Sequence, residues 1–151
     1  MLINNVRWKY EMIKFSEDRL SVAEYLQLRQ SVGWKALTER QAELALENCI
    51  YCLSAYDNGK LIGMGRIVGD GAVVCYIQDL IVLPEYHGRG VGSALVMHLK
   101  EYVLSLSAEN EEMMFCLMCA KGREGFYEQF GFIPRPTENL GPGMIMYLKS
   151  D

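Results

Sequence analysis

No apolar run in the sequence is long enough to cross a membrane, although half of the residues are hydrophobic. A spanning helix needs about 20 consecutive apolar residues, so the chain reads as soluble. The start, Met1-Leu-Ile-Asn-Asn-Val-Arg-Trp-Lys9, lacks the apolar core of a signal peptide and predicts a cytoplasmic protein. Basic clusters are missing too. The net charge is -4 and the lysines and arginines are scattered, which argues against nucleic acid or an acidic membrane as partner. A cationic amine would be compatible with that charge. There is no repeat, low-complexity stretch or linker, so residues 1–151 read as one domain, long enough to bury a core.

Histidine is scarce, with only His87 and His98, and no Cys–His or Ser–His arrangement argues for a covalent nucleophile. The five cysteines are an odd number, which fits a reducing compartment. Two pairs, Cys49/Cys52 and Cys116/Cys119, have the C-x-x-C spacing of zinc sites. Both lie in apolar, strand-like sequence. Residues three apart on a strand face opposite sides, so the pairs read as free core thiols and no metal is expected.

What is present centres on Cys75-Tyr-Ile-Gln-Asp-Leu-Ile-Val-Leu-Pro84 and the glycine-rich segment after it. It reads as an apolar strand, a turn opened by Pro84, a loop, and a helix over residues 90–106. Val91, Leu95, Leu99, Tyr102, Val103 and Leu106 recur at helical spacing on one face of that helix. Glycines before a helix start let the backbone approach a ligand, and the unpaired N–H groups there favour an anion, typically a phosphate. Gly88, Gly90 and Gly92 do not complete a dinucleotide fingerprint, because Ser93 stands where the third glycine belongs. No lysine precedes Ser93, so the Walker pattern is also incomplete.

His87-Gly88-Arg89-Gly90-Val91-Gly92, preceded by Leu80-Ile-Val-Leu-Pro84, resembles motif A of the GNAT superfamily of N-acetyltransferases, Gln/Arg-x-x-Gly-x-Gly/Ala, with His87 in the Gln/Arg position. Further on, Gly125-Phe-Tyr-Glu-Gln-Phe-Gly-Phe132 resembles the superfamily's Phe-Tyr-x-x-x-Gly-Phe ending. The resemblance covers nearly the whole chain. It implies an α/β fold: a mixed, mostly antiparallel sheet of about six to seven strands, flanked by about four helices and splayed at its two parallel central strands. It also implies acetyl-CoA as co-substrate, acetyl transfer to a primary amine, and direct attack within a ternary complex. The pyrophosphate would lie on residues His87, Gly88, Arg89, Gly90, Val91, Gly92 and Ser93, and pantetheine on the backbone of Leu80, Ile81 and Val82. Tyr127 would be the general acid, since a phenol (pKa about 10) and a thiol (about 8.5) can exchange a proton. Where many members carry an asparagine that contacts pantetheine, this chain has Ala120. A non-catalytic acyl-CoA-binding module remains the alternative. Dimerisation is common in the superfamily, and an apolar C-terminal strand would be the edge for it.

The remaining elements follow from local signals. Residues 6–15 alternate as a first strand. Ser21-Val-Ala-Glu24 and Thr38-Glu-Arg-Gln41 are capping boxes opening two short helices. The superfamily builds its acceptor pocket from two such helices, so Arg29 and Trp34 are candidate lining residues. Residues 50–56 and 61–68 form a hairpin about Asp57-Asn-Gly59, and Gly69-Asp-Gly71 turns the chain into the strand over 73–83. Strand parity predicts that Tyr76 and Gln78 share the acceptor face with Leu80 and Val82, leaving Asp79 on the other. A strand over 113–119, a helix over 122–130 and a last strand over 144–148 complete the expectation. No residue presents itself as the general base.

Overall fold

The computed structural model describes residues 13–150; most of the expected first strand therefore lies outside the described residues. Five strands form one sheet in chain order: β1 (Lys14–Ser16), β2 (Tyr51–Asp57), β3 (Lys60–Gly69), β4 (Val74–Val82) and β5 (Met114–Leu117). The first four are antiparallel neighbours, and β5 lies parallel to β4. Helices α1 (Val22–Ser31) and α2 (Glu39–Glu47) separate β1 from β2, α3 (Val91–Leu106) crosses from β4 to β5, and α4 (Glu124–Glu128) follows β5.

Local chemistry sets most of these boundaries. Ser21 and Thr38 each accept the backbone N–H three residues on, while Glu24 and Gln41 reach back to the N-cap N–H, so both capping boxes form. Each box is worth about 1 kcal/mol of helix stability. Asn58 and Gly59 have φ of 48° and 81°, the pair of left-handed residues that a two-residue type I′ hairpin turn needs to match strand twist. At the next turn, the Asp70 carboxylate accepts from the N–H groups of Ala72, Val73 and Val74 at 2.8, 2.8 and 3.0 Å. Those bonds hold its pKa below the ordinary carboxylate value.

Each face of the sheet buries its own core. On one, Val91, Leu95, Leu99 and Val103 of α3 pack on Leu53, Ala55, Ile67, Cys75 and Ile77. On the other, Tyr25 and Leu28 of α1 and Ala42 and Leu46 of α2 pack on Met64 and Ile81. Fully burying one such aliphatic side chain stabilises by about 1.5–3 kcal/mol, so both faces are strongly specified.

A bulge in β4 decides what the site looks like. Arg66 pairs with Asp79 and the next residue, Ile67, with Ile77, so Gln78 has no partner on β3. An extra residue reverses the side-chain alternation. Cys75 and Ile77 thus face α3, while Asp79 falls on the face of α1 and α2, where it bonds Tyr25 and Arg29. Leu80 and Val82 pack against the α3 core. The expected common face for Tyr76, Gln78, Leu80 and Val82 is corrected accordingly, because simple period-2 counting cannot anticipate an inserted residue.

Three further expectations change. The sheet has five strands among the described residues rather than six or seven. Residues 144–148 form no strand: Met144, Ile145, Met146, Tyr147 and Leu148 are 69–88% exposed and pair with no ladder. An unbroken apolar run after Gly141-Pro142-Gly143 has no alternating face to fix a register. The helix over 122–130 contracts to Glu124–Glu128, because Gly122 at φ 84° and Gly131 at φ 93° adopt left-handed turns at either side. His98 is half-buried, its ring 4.7 Å from that of Phe15.

Candidate active site

The parallel pair β4 and β5 separates part-way along. Pairing ends at Ile77 opposite Leu117, while β4 continues to Val82. Residues 78–82 therefore have no ladder partner on the β5 side. At the fork, the Tyr76 hydroxyl accepts from the Met118 N–H at 3.1 Å, tying off the first free backbone group of the diverging chain. A cleft of about 1950 Å³ runs through the fork, lined by the loop after β4 at one end and by Arg29 and Trp34 at the other.

The loop is shaped by glycine where the backbone demands it. Gly88 and Gly90 have φ of 74° and 83°, and Gly90 stands at the N-cap of α3. No side chain caps that helix and its first turn holds no acidic residue. The N–H groups of the first turn and the positive end of the dipole thus face the cleft unanswered, as an anionic phosphate requires. Gly92 is helical and packs beside the Phe126 ring, where a Cβ would make an ordinary contact at 3.4 Å. Arg89 lies 5.0 Å over the Tyr86 ring. The His87 ring folds back and its Nε2–H donates to the Val82 carbonyl at 2.7 Å. The residues present therefore fit a phosphate-bearing carrier lying along β4.

Tyr127 of α4 lines the cleft beside Cys119 and Phe126. Its ring meets Phe126 edge-on at 5.0 Å and Phe132 at 5.9 Å. Burial pushes its pKa up to about 12, with the Cys119 thiol adding to the rise and Arg123 opposing it. The Tyr127 phenol therefore keeps its proton over the whole physiological range. The Cys119 thiol is raised as well, mainly by desolvation and then by Glu124, and so is Cys116 by burial; neither is an activated thiolate.

The opposite wall rests on a buried ionic group. Asp79, fully buried, accepts from Arg66 Nε at 2.6 Å, from the Tyr25 hydroxyl at 2.8 Å and from an Arg29 terminal nitrogen at 2.9 Å. The side chains of Arg66 and Arg29 are 6% and 12% exposed. Arg66 also donates to the Ala45 carbonyl at 2.9 Å, and Arg29 to the Lys35 carbonyl at 3.2 Å. The Arg29 guanidinium lies over the rings of Trp34, at 5.2 Å, and Tyr25, at 5.7 Å. Desolvation and the Asp79 charge raise the Tyr25 pKa to about 12.

Of the residues expected in the site, the cleft brings together Arg29, Trp34, Tyr76, Gln78, Leu80, Ile81, Val82, the segment from His87 to Ser93, and Tyr127. Sequence reasoning missed the Asp79–Arg66–Tyr25 group, although one acid and one base alone in two apolar strands were a usable signal for a buried pair. It also missed Met118, Cys119, Ile145 and Tyr147 in the cleft wall, whereas Met144 and Met146, which the sequence offers as an adaptable apolar wall, do line it. Among the described residues, no group of three or more histidine, cysteine or acidic side chains is placed to hold a metal, and no helix is long and apolar enough to cross a membrane.

The chain as a whole is similar to known proteins. A Staphylococcus aureus protein of unknown function superposes with a TM-score of 0.80 at 34% identity, covering 91% of this chain and 100% of that one. A GNAT-family acetyltransferase of Streptococcus pneumoniae gives 0.73 at 32% identity, covering 92% and 98%. An uncharacterized ycf52-like N-acetyltransferase of Prochlorococcus marinus is 31% identical over 130 residues, 83% of this chain and 70% of that one. The model of the acetyltransferase (GNAT) family matches residues 16–132. With the glycine loop at the start of α3 and the fork beside it, these matches place the chain in the GNAT family of acetyltransferases.

Proposed function

We propose that residues 1–151 form one domain that transfers the acetyl group of acetyl-CoA to a primary amine, on a small molecule or peptide, by direct attack within a ternary complex. The observation that carries this reading is the stretch of β4 over residues 78–82, freed by the fork, with uncapped helix N–H groups at one end and the Tyr127 phenol beside it. Acetyl-CoA supplies a thioester whose carbonyl carbon accepts the amine and whose sulfur leaves as a thiolate.

The protein's part is positioning and proton supply. Loop N–H groups from Gly88 to Ser93, with Arg89, neutralise the pyrophosphate. The β4 backbone over Leu80, Ile81 and Val82, where the Val82 carbonyl already accepts from His87, pairs with the amide groups of the pantetheine arm as an added strand would, and an N–H there stabilises the oxyanion of the tetrahedral adduct. Tyr127 donates its proton to the departing sulfur, and the proton lost by the amine returns through solvent to the phenolate. The amine arrives neutral or loses its proton to water. Protonated thiols at Cys116 and Cys119 favour direct transfer over a covalent acyl-enzyme.

A non-catalytic acyl-CoA-binding module is the rival. It is favoured by one observation: Asp57 is the only carboxylate in the described lining of the cleft, and it is held by the Tyr86 hydroxyl at 2.8 Å. Thiol release from acetyl-CoA over a panel of primary amines separates the two. Turnover that falls in Tyr127→Phe supports transfer; acetyl-CoA binding without turnover on any amine supports the module.

A further inference from the structure

Behind the Arg29 wall lies a second cavity of about 410 Å³, between α1, α2 and the β4 bulge. Its polar lining is Tyr25, Arg29, Arg66, Gln41 and Gln78, with Leu37 and the exposed Leu44 at its open rim. Arg29 and Gln78 line this chamber and the large cleft alike, so the two spaces share a wall. The bulge is the cause: it turns Gln78, unpaired and exposed, out between them.

The chamber's charge is one-sided. Two guanidiniums share the single carboxylate of Asp79, which leaves one positive charge over in a group whose members are 0%, 6% and 12% exposed. Arg29 Nε is buried with no hydrogen-bond partner. A buried charge without a counter-charge is costly, and nothing acidic in the chamber lining supplies one. The cleft repeats the pattern: Arg29, Lys35, Arg89 and Arg123 line it against the single carboxylate of Asp57, in a chain whose net charge is -4. Arg89 belongs to the phosphate loop; Arg29 and Lys35 lie at the acceptor end. The overall charge would suit a cationic acceptor, but the local charge does not.

We infer that this chamber is an anion subsite for the acceptor: the amine that is acetylated carries a carboxylate or phosphate at its non-reacting end, received by Arg29 with the carboxamides of Gln41 and Gln78, while Arg66, its three nitrogens held by Asp79, the Ala45 carbonyl and the Tyr25 hydroxyl, supplies charge from behind. The inference rests on the acetyltransferase reading for the reaction, but not for the binding. Arg29 is preorganised for the task, clamped by Asp79, by the Lys35 carbonyl and by two aromatic faces, so little side-chain freedom is lost on binding.

The test pairs matched ligands: amino acids against their amides, and phosphoethanolamine against ethanolamine. The first arm reads binding alone, through thermal shift and Trp fluorescence, without acetyl-CoA. The second reads thiol release with it. The anionic member of a pair should bind at least tenfold more tightly and show a kcat/KM at least tenfold higher, through KM. Gln41→Glu should abolish the preference while keeping the capping box, since Glu serves at that position as well as Gln. Arg29→Lys, which keeps the charge but loses the fork, should weaken it. Carboxylates favoured over phosphate, or the reverse, name the anion. Equal binding of acids and amides, or a preference untouched by Gln41→Glu, overturns the inference. Anion-selective binding without turnover upholds the subsite and counts against acetyl transfer instead.

Discussion

Replacing Asp79 by Asn is the substitution most informative about how the acceptor wall is held. The carboxylate sits at 0% exposure and answers three donors at 2.6, 2.8 and 2.9 Å. An amide at the same place keeps one acceptor oxygen and turns N–H donors toward a guanidinium. Two cations, 6% and 12% exposed, then have no counter-charge. Breaking a buried pair from one side costs about 3–5 kcal/mol, a large part of the roughly 5–15 kcal/mol of a domain. Arg29→Ala should be milder. It removes the part-buried bond to Asp79, worth about 1.5–3 kcal/mol, and the exposed one to the Lys35 carbonyl, but leaves a neutral Arg66–Asp79 pair and relieves the repulsion between two cations. In urea unfolding, Asp79→Asn should lower the midpoint with an unchanged slope. Thermally, at about 2–4 °C per kcal/mol for a chain of this size, the loss is roughly 6–20 °C. An Asp79→Asn variant within about 1 kcal/mol of the parent, or one more stable than Arg29→Ala, would refute this reasoning.

Tyr127→Phe should lower kcat by about 100-fold or more, the lower end of the range for a lost general acid, with acetyl-CoA affinity unchanged by calorimetry. Because burial lifts Tyr127 and Tyr25 to about 12, the unfolded chain releases these protons near pH 10 while the folded one keeps them. Their contribution to stability is full below pH 10 and declines as pH rises toward 12, which denaturant melts at stepped pH will report. Gly63→Ala should destabilise by about 1–3 kcal/mol, since its Cβ would meet the Ile81 carbonyl oxygen at 2.7 Å and press on the strand that forms the cleft floor; differential scanning calorimetry measures it.

Legibility in the sequence followed the range of the interaction. Capping boxes at Ser21 and Thr38, the Asn58-Gly59 turn and the start of α3 are set by residues a few positions apart, and the sequence is sufficient for them. Motif and loop were legible because glycines at 88 and 90 answer a backbone need that other residues meet poorly. The β4 bulge was not legible. It depends on how Arg66 and Asp79 meet across two strands, and it redirects every side chain beyond Gln78. The apolar run at 144–148 looked like a strand from composition, but a strand needs a partner, and the ladder of β5 ends at Leu117. Arg29 and Trp34 were named as lining residues; what holds them, a carboxylate 50 positions away along the chain, is information only the fold contains.

The claim that the glycine loop and the forked β4 receive acetyl-CoA is tested most directly by ligand-induced stabilisation. Purified protein is melted with acetyl-CoA, with CoA, and with ATP and NAD as controls. At 100 times Kd a bound ligand adds about 2.7 kcal/mol, or roughly 5–11 °C here. A rise of that size with acetyl-CoA or CoA alone is the predicted result. No rise with either CoA species, together with a rise for ATP or NAD, would contradict the account and leave the loop as an anion site for another nucleotide.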